Sequence, residues 1–133
     1  MIPDEARRRF AAARVARLAT VRPAGGPHLV PVTFAVDADR VYSAVDAKPK
    51  TTRRLTRLAN IAAEPRVSLL ADHWAEEWSQ LWWVRADGTA RVVDTDPHGI
   101  ALLRARYAQY ADDPPAGPVI IVDVDAWTGW AAG

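Results

Sequence analysis

Residues 15–45, VARLATVRPAGGPHLVPVTFAVDADRVYSAV, decide the fold. Val30, Val32, Phe34 and Val36 alternate at the two-residue period of a strand, which aims them at one core. The Pro/Gly cluster at 23–27 reads as the turn of a hairpin, and Asp37 to Asp39 as a second turn. Three antiparallel strands therefore follow one another within about thirty residues, a meander.

The flanks extend the pattern. Pro3, Asp4 and Glu5 suit a helix start, and Ile2, Ala6, Phe10 and Ala13 recur at helical spacing, which predicts a helix over 3–14. Leu55, Leu58 and Ile61 (or Ala62), stopped by Pro65, predict a second helix over 52–63. RVSLLAD at 66–72 is a fourth strand, and SQLWWVR opens a fifth that Asp87-Gly88 either turns back or bulges. Asp96-Pro97 caps a third helix over 97–111, with Ile100, Leu103, Tyr107 and Tyr110 on one face. PVIIVDVDAWTGW closes the chain as a sixth strand. This describes a single, mainly β (α+β) domain over 1–133: six antiparallel strands that curl into a barrel, with about three peripheral helices.

Composition excludes several functions. The 133 residues hold 17 basic and 16 acidic side chains, a net charge of +1, which lacks the basic excess of a nucleic-acid binder. No cysteine is present, which removes disulfide scaffolds, thiolate zinc sites and cysteine nucleophiles, and fits a cytoplasmic protein. Arg14 and Arg17 interrupt the apolar stretch near the start, so no targeting segment is expected. No run approaches the ~20 apolar residues of a membrane-crossing helix. Ser43, Ser68 and Ser79 lie in no GxSxG elbow, and neither GxGxxG nor a P-loop occurs. His28, His73 and His98 lack metal spacing, so no metal is expected.

What remains is local. Both lysines of the chain, Lys48 and Lys50, fall in KPKT, between the third strand and the second helix. Two ammonium groups and the Thr51 hydroxyl beside unpaired helix-start amides make a phosphate pocket; solvated turn lysines are the alternative. Pro31 cannot donate within a ladder, so its strand is an edge, a bulge or a ligand-facing stretch. Val30, Pro31, Val32 and Thr33 then offer backbone to a planar heterocycle. Of six tryptophans, Trp74, Trp78, Trp82 and Trp83 cluster, and packing is expected to absorb most of them. Trp82 and Trp83, adjacent on a strand, point to opposite faces, one toward the core and the other toward solvent, ligand or partner. His73, at a strand end, is the one histidine placed to give a substrate a proton.

Together ARLATVRPAGGPHLVPVTFAV, VYSAVDAKPKTTRRLTRLANIAAEPRVSLL and LWWVRADGTARVV resemble the pyridoxamine 5'-phosphate oxidase-like split β-barrel superfamily, and more closely its actinobacterial deazaflavin-dependent branch. The resemblance covers nearly the whole chain. It implies cofactor phosphate on Lys48 and Lys50 with Thr51, Arg53 and Arg54 nearby, and a ring lined by Val32 and Thr33, with Pro31 and Ser43 in the same cofactor set. It implies a homodimer and needs no catalytic triad. The substrate pocket is placed near His73, Trp82 and Trp83 from the residues themselves, with a surface or structural role as the alternative for His73. The implied activity is hydride transfer between reduced coenzyme F-420 and a small unsaturated or oxidised substrate, with the anionic cofactor tail followed by Arg53, Arg54 and Arg57. FMN is the alternative cofactor, for an oxidase or flavin reductase. A non-catalytic cofactor- or tetrapyrrole-binding barrel is the third reading.

Overall fold

The stretch from Pro27 to Asp37 belongs to both edges of one sheet. In the computed structural model, which describes residues 1–45 and 55–133, the order is α1 (Pro3–Ala12), β1 (Ala16–Val21), β2 (Pro27–Val32), β3 (Ala35–Asp37), β4 (Arg40–Ala44), α2 (Thr56–Ala63), β5 (Arg66–His73), β6 (Trp82–Val93), α3 (Pro97–Arg106), α4 (Ala108–Asp112) and β7 (Val119–Ala131). A single 3-10 turn, Trp78–Gln80, precedes β6. The strands pair in the order β2-β1-β5-β6-β7-β4-β3, antiparallel throughout. The two outermost strands are thus neighbours in sequence, parted only by Thr33 and Phe34. The seven-stranded antiparallel sheet forms a barrel split along that seam.

The predicted second strand is therefore two. Its alternation survives the break: Val32 and Phe34 are buried, and Val30 and Val36 pack against the same core. The break has a specific cause. The Tyr107 hydroxyl accepts the Phe34 N–H at 3.1 Å and sits 3.0 Å from the carbonyl oxygens of both Phe34 and Arg14, to one of which it donates at a time. Arg106 donates to Ala13 O, and Arg14 returns a bond to Arg106 O at 3.0 Å. Phe34 leaves the ladder because a side chain replaces its neighbouring strand.

The same knot ends the third helix early. Tyr107 is extended (φ −117°, ψ 119°), so the predicted 97–111 helix becomes α3 and the short α4. Asp96 caps α3 as expected, accepting from Gly99 N at 2.8 Å. Leu103 is fully buried, and Ile100, Tyr107 and Tyr110 pack beside it against Tyr42, Val119 and Ile121. These residues form a second core, under the outer face of β3, β4 and the start of β7. The main core lies on the inner face, where Phe10 of α1 meets Phe34 at 4.7 Å and Trp127 at 5.5 Å.

Asp87-Gly88 proves to be a bulge site. β6 runs straight through it, and the register slips so that Asp87 faces Ala126 while Gly88 faces Val124, leaving Asp125 of β7 as the extra residue. A Cβ on Gly88 would stand 2.1 Å from Asp123 O, which only glycine avoids.

Two stability predictions follow from these joints. Tyr107→Phe strands the Phe34 amide and should lower unfolding free energy by about 1–3 kcal/mol in urea titrations. Gly88→Ala must push β6 from β7 and should lower the thermal midpoint at least as far as Tyr107→Phe does.

Candidate functional site

β2 is an edge strand, as Pro31 requires, and Pro31 is exposed opposite Arg17 of β1. Val32 turns its side chain into the core, so its backbone is what it offers a ligand. Thr33, at the seam, is held from two sides: Ser43 Oγ donates to its carbonyl at 2.7 Å, and its hydroxyl lies 2.9 Å from the Tyr110 hydroxyl. Ser43 is itself buried. Pro31, Val32, Thr33 and Ser43 are thus brought together around one break in the barrel wall.

Lys48, Lys50, Thr51, Arg53 and Arg54 lie outside the described residues. The helix that follows them is described. α2 has Leu55 at its N-cap with no side-chain cap and no acid in its first turn, where Arg57 is half-buried. Its amino-terminal amides therefore keep their positive character toward an anion. Behind it, Asn60 is buried and donates to Thr20 Oγ1 of β1 at 3.0 Å. Thr20 faces His28 across the hairpin, and His28 Nδ1 is buried with no hydrogen-bond partner among the described residues. His28 thus leaves a buried polar atom on the β1–β2 hairpin, the strand pair to which Asn60 ties α2.

His73 and Trp82 pair across β5 and β6, their rings stacked 6.1 Å apart at 22°. The Arg9 guanidinium lies 5.7 Å from the Trp82 ring, and Trp82 packs against the core. Trp83 points the other way, opposite Trp130 and 5.9 Å from the Arg85 guanidinium. The sheet thus separates Trp83 from the other two members of the predicted substrate pocket. The expectation that packing absorbs most of the tryptophan cluster needs correction. Trp74 and Trp78 are each 67% exposed, touching one another at 6.0 Å. A short loop between β5 and β6 lifts them off the sheet.

The outer face is half covered. α3 and α4 roof β3, β4 and the start of β7, while Leu29 (66% exposed), Leu70 (38%) and Trp130 (48%) lie open on β2, β5 and β7. Charges punctuate this open face as matched pairs, Arg17 with Asp72 and Arg85 with Asp87, which also accepts from Ser68 Oγ at 2.6 Å.

Sequence reasoning did not find Tyr107, Tyr110, Thr20, Asn60 or His28 as members of the site. The tyrosines read only as core stripe, and a buried asparagine at a helix position carries no local signal. Among the described residues no group of three or more His, Asp or Glu side chains is placed to hold a metal ion. Nor is any helix among them long and apolar enough to cross a membrane.

The geometry defines a class: a small antiparallel barrel, split at one strand, with polar groups gathered at the split. The chain belongs to the pyridoxamine 5'-phosphate oxidase family, whose model matches residues 2–131. Among curated proteins, none matches it. Similar solved structures include a conserved hypothetical protein from Mycobacterium tuberculosis, 21% identical, TM-score 0.74, covering 98% of this chain and 85% of that one. A FAD-binding protein from Mesorhizobium loti is 18% identical, TM-score 0.72, covering 97% and 94%. A heme storage protein from Vibrio cholerae is also 18% identical, TM-score 0.69, covering 100% and 96%. At such identities the likeness speaks to the fold alone.

One electrostatic clamp sets how α2 meets β5. The Glu64 carboxylate takes the Arg66 Nε at 2.9 Å and the Arg66 backbone N–H at 3.1 Å, and these bonds hold its pKa down to about 2. A depressed carboxylate contributes above its unfolded pKa, roughly 4.3, and the contribution fades as pH falls from there toward about 2. NMR titration should show Glu64 ionised through pH 3, and Arg66→Ala, which keeps the backbone N–H, should raise its pKa partway toward the ordinary carboxylate range.

Proposed function

We propose that this protein is an oxidoreductase that uses coenzyme F-420 to move a hydride to or from a small unsaturated or oxidised organic substrate. The observation that carries the reading is the start of α2: an uncapped helix end with no acid in its first turn, Arg57 within it, and Lys48, Lys50, Thr51, Arg53 and Arg54 just before it in sequence. Such an end suits a phosphate followed by an anionic tail. The ring is assigned to the seam, against the backbone of Pro31, Val32 and Thr33. When bound, the cofactor supplies the hydride chemistry. The protein's share is to hold the phosphate, orient the ring and exclude competing reactions, which needs no nucleophilic triad. His73 and Trp82 remain the proposed substrate-side groups.

A flavin is the second reading, favoured by family membership and by the FAD-binding Mesorhizobium relative. A non-catalytic tetrapyrrole-binding barrel is the third, favoured by the Vibrio heme storage protein. The working unit is proposed to be a cytoplasmic homodimer joined through the open outer face, since Leu29, Leu70, Trp83 and Trp130 form an apolar field and its opposed charge pairs suit a two-fold contact.

Parallel fluorescence titrations with F-420 and FMN decide the cofactor: tight F-420 binding by a colourless protein supports the leading reading, and a yellow protein as purified supports the second. Lys50→Ala should weaken binding roughly ten- to hundredfold, and an unchanged affinity would move the phosphate elsewhere. Light scattering at micromolar concentration should report a dimer, with Leu29→Asp shifting it to monomer.

A further inference from the structure

Trp74 and Trp78 are each 67% exposed, which leaves most of two large apolar side chains in water. They do not hang from a loose loop. The Gln80 N–H donates to Glu77 O at 3.0 Å and the Leu81 N–H to Trp78 O at 3.1 Å, closing the 3-10 turn. Ser79 Oγ donates to the Glu77 carboxylate at 3.0 Å, and the Ala132 N–H, just past β7, donates to Leu81 O at 2.9 Å. The loop is therefore pinned to the end of the sheet. Its two rings, 6.0 Å apart and inclined at 59°, form a corner whose shape is set before any contact is made.

The charge around this corner has one sign. Glu76 and Glu77 lie between the two tryptophans in sequence, both are exposed, and neither has an ion-pair partner among the described residues, unlike Glu5, Glu64, Asp72 and Asp87. No lysine or arginine stands between Arg66 and Arg85 in the sequence. The neighbouring tryptophans show what such rings take in this chain: the Arg9 guanidinium lies 5.7 Å from the Trp82 ring and that of Arg85 lies 5.9 Å from the Trp83 ring. Among the described residues no cation lies over Trp74 or Trp78. An aromatic face attracts a cation through its quadrupole, and a nearby carboxylate adds to the attraction. A planar guanidinium satisfies both at once, stacking on the ring while donating to the acid.

We propose that the Trp74–Trp78 corner is a docking site for an arginine-bearing segment of another protein, with guanidinium on the indole rings and its N–H groups turned toward Glu76 and Glu77. The partner is basic. The corner uses neither the seam nor α2, so it serves whichever cofactor the barrel takes.

The test is calorimetric titration of the full chain with a capped hexa-arginine peptide, beside hexalysine and hexacitrulline peptides. The arginine peptide should bind and quench indole fluorescence, the lysine peptide should bind more weakly, and the citrulline peptide, which keeps the shape and loses the charge, should not bind. Trp74→Ala and Trp78→Ala should each weaken the arginine peptide roughly three- to thirtyfold. Glu76→Gln with Glu77→Gln should weaken it and flatten its salt dependence. The thermal midpoint should stay put in all of these variants, since the altered side chains are exposed. Hexa-arginine bound equally well by the tryptophan variants, bound no better than hexalysine, or not bound at all, overturns the proposal. So does tetramethylammonium that displaces the peptide at the peptide's own concentration, which makes the corner a site for small cations. Binding to phosphatidylcholine vesicles that Trp74→Ala abolishes, or a dimer that Trp78→Ala dissociates in light scattering, overturns it in favour of a membrane surface or a second copy of the chain.

Discussion

A single phenol oxygen decides where this barrel opens. Backbone amides and carbonyls withdrawn from water must find partners, and in a sheet the neighbouring strand supplies them. At Phe34 the Tyr107 hydroxyl does so instead, while also reaching Arg14 O at the start of β1. Because that one group accepts from the Phe34 amide and donates to one of two nearby carbonyls, the extended chain can leave one edge of the sheet and join the other with its Phe34 N–H still paired. The cross-bonded Arg14 and Arg106 fix α3 and α4 to the same spot. The seam, the helix break and the linker from α1 to β1 are consequently one joint rather than three features.

That joint positions what the barrel offers a ligand. Thr33 is gripped through its carbonyl and its hydroxyl, so the wall beside Pro31 and Val32 is rigid where a planar group would need it. On the other side of the hairpin, Asn60, in the second half of α2, ties that helix to Thr20 of β1. The Glu64–Arg66 pair spans the link from α2 to β5, where Pro65 stops the helix. The uncapped start of α2 and the hydrogen-bonded backbone at Thr33 are the two features on which the proposed phosphate and ring sites rest.

The distribution of apolar surface complements this. Helices roof only the half of the outer face beneath Leu103 and Tyr107, and the rest shows Leu29, Leu70 and Trp130 to solvent. Exposed apolar side chains on paired strands are costly to leave alone in water, whereas the charged residues among them already have partners. A face of this kind gains most from a partner that is also flat and largely apolar.

The meander and the helical segments were legible in the chain itself, because turn chemistry and periodicity are local properties, whereas Asp87-Gly88 could be read as a turn or a bulge until the sheet register decided for the bulge. Pro31 narrowed β2 to an edge, a bulge or a ligand-facing stretch, since proline lacks the donor an interior strand needs, and the strand order makes it an edge. The divided second strand and the broken third helix were not legible, because both arise from Tyr107, seventy-three residues from Phe34. The fate of the tryptophans was equally hidden: identical residue types a few positions apart end at the core in Trp82 and in solvent in Trp74 and Trp78. Local pattern determined which segments became strands and helices. Only the tertiary structure decided which backbone atoms lost their strand partners and which side chains replaced them, since a hydrogen-bond partner distant in sequence is chosen by how the sheet closes.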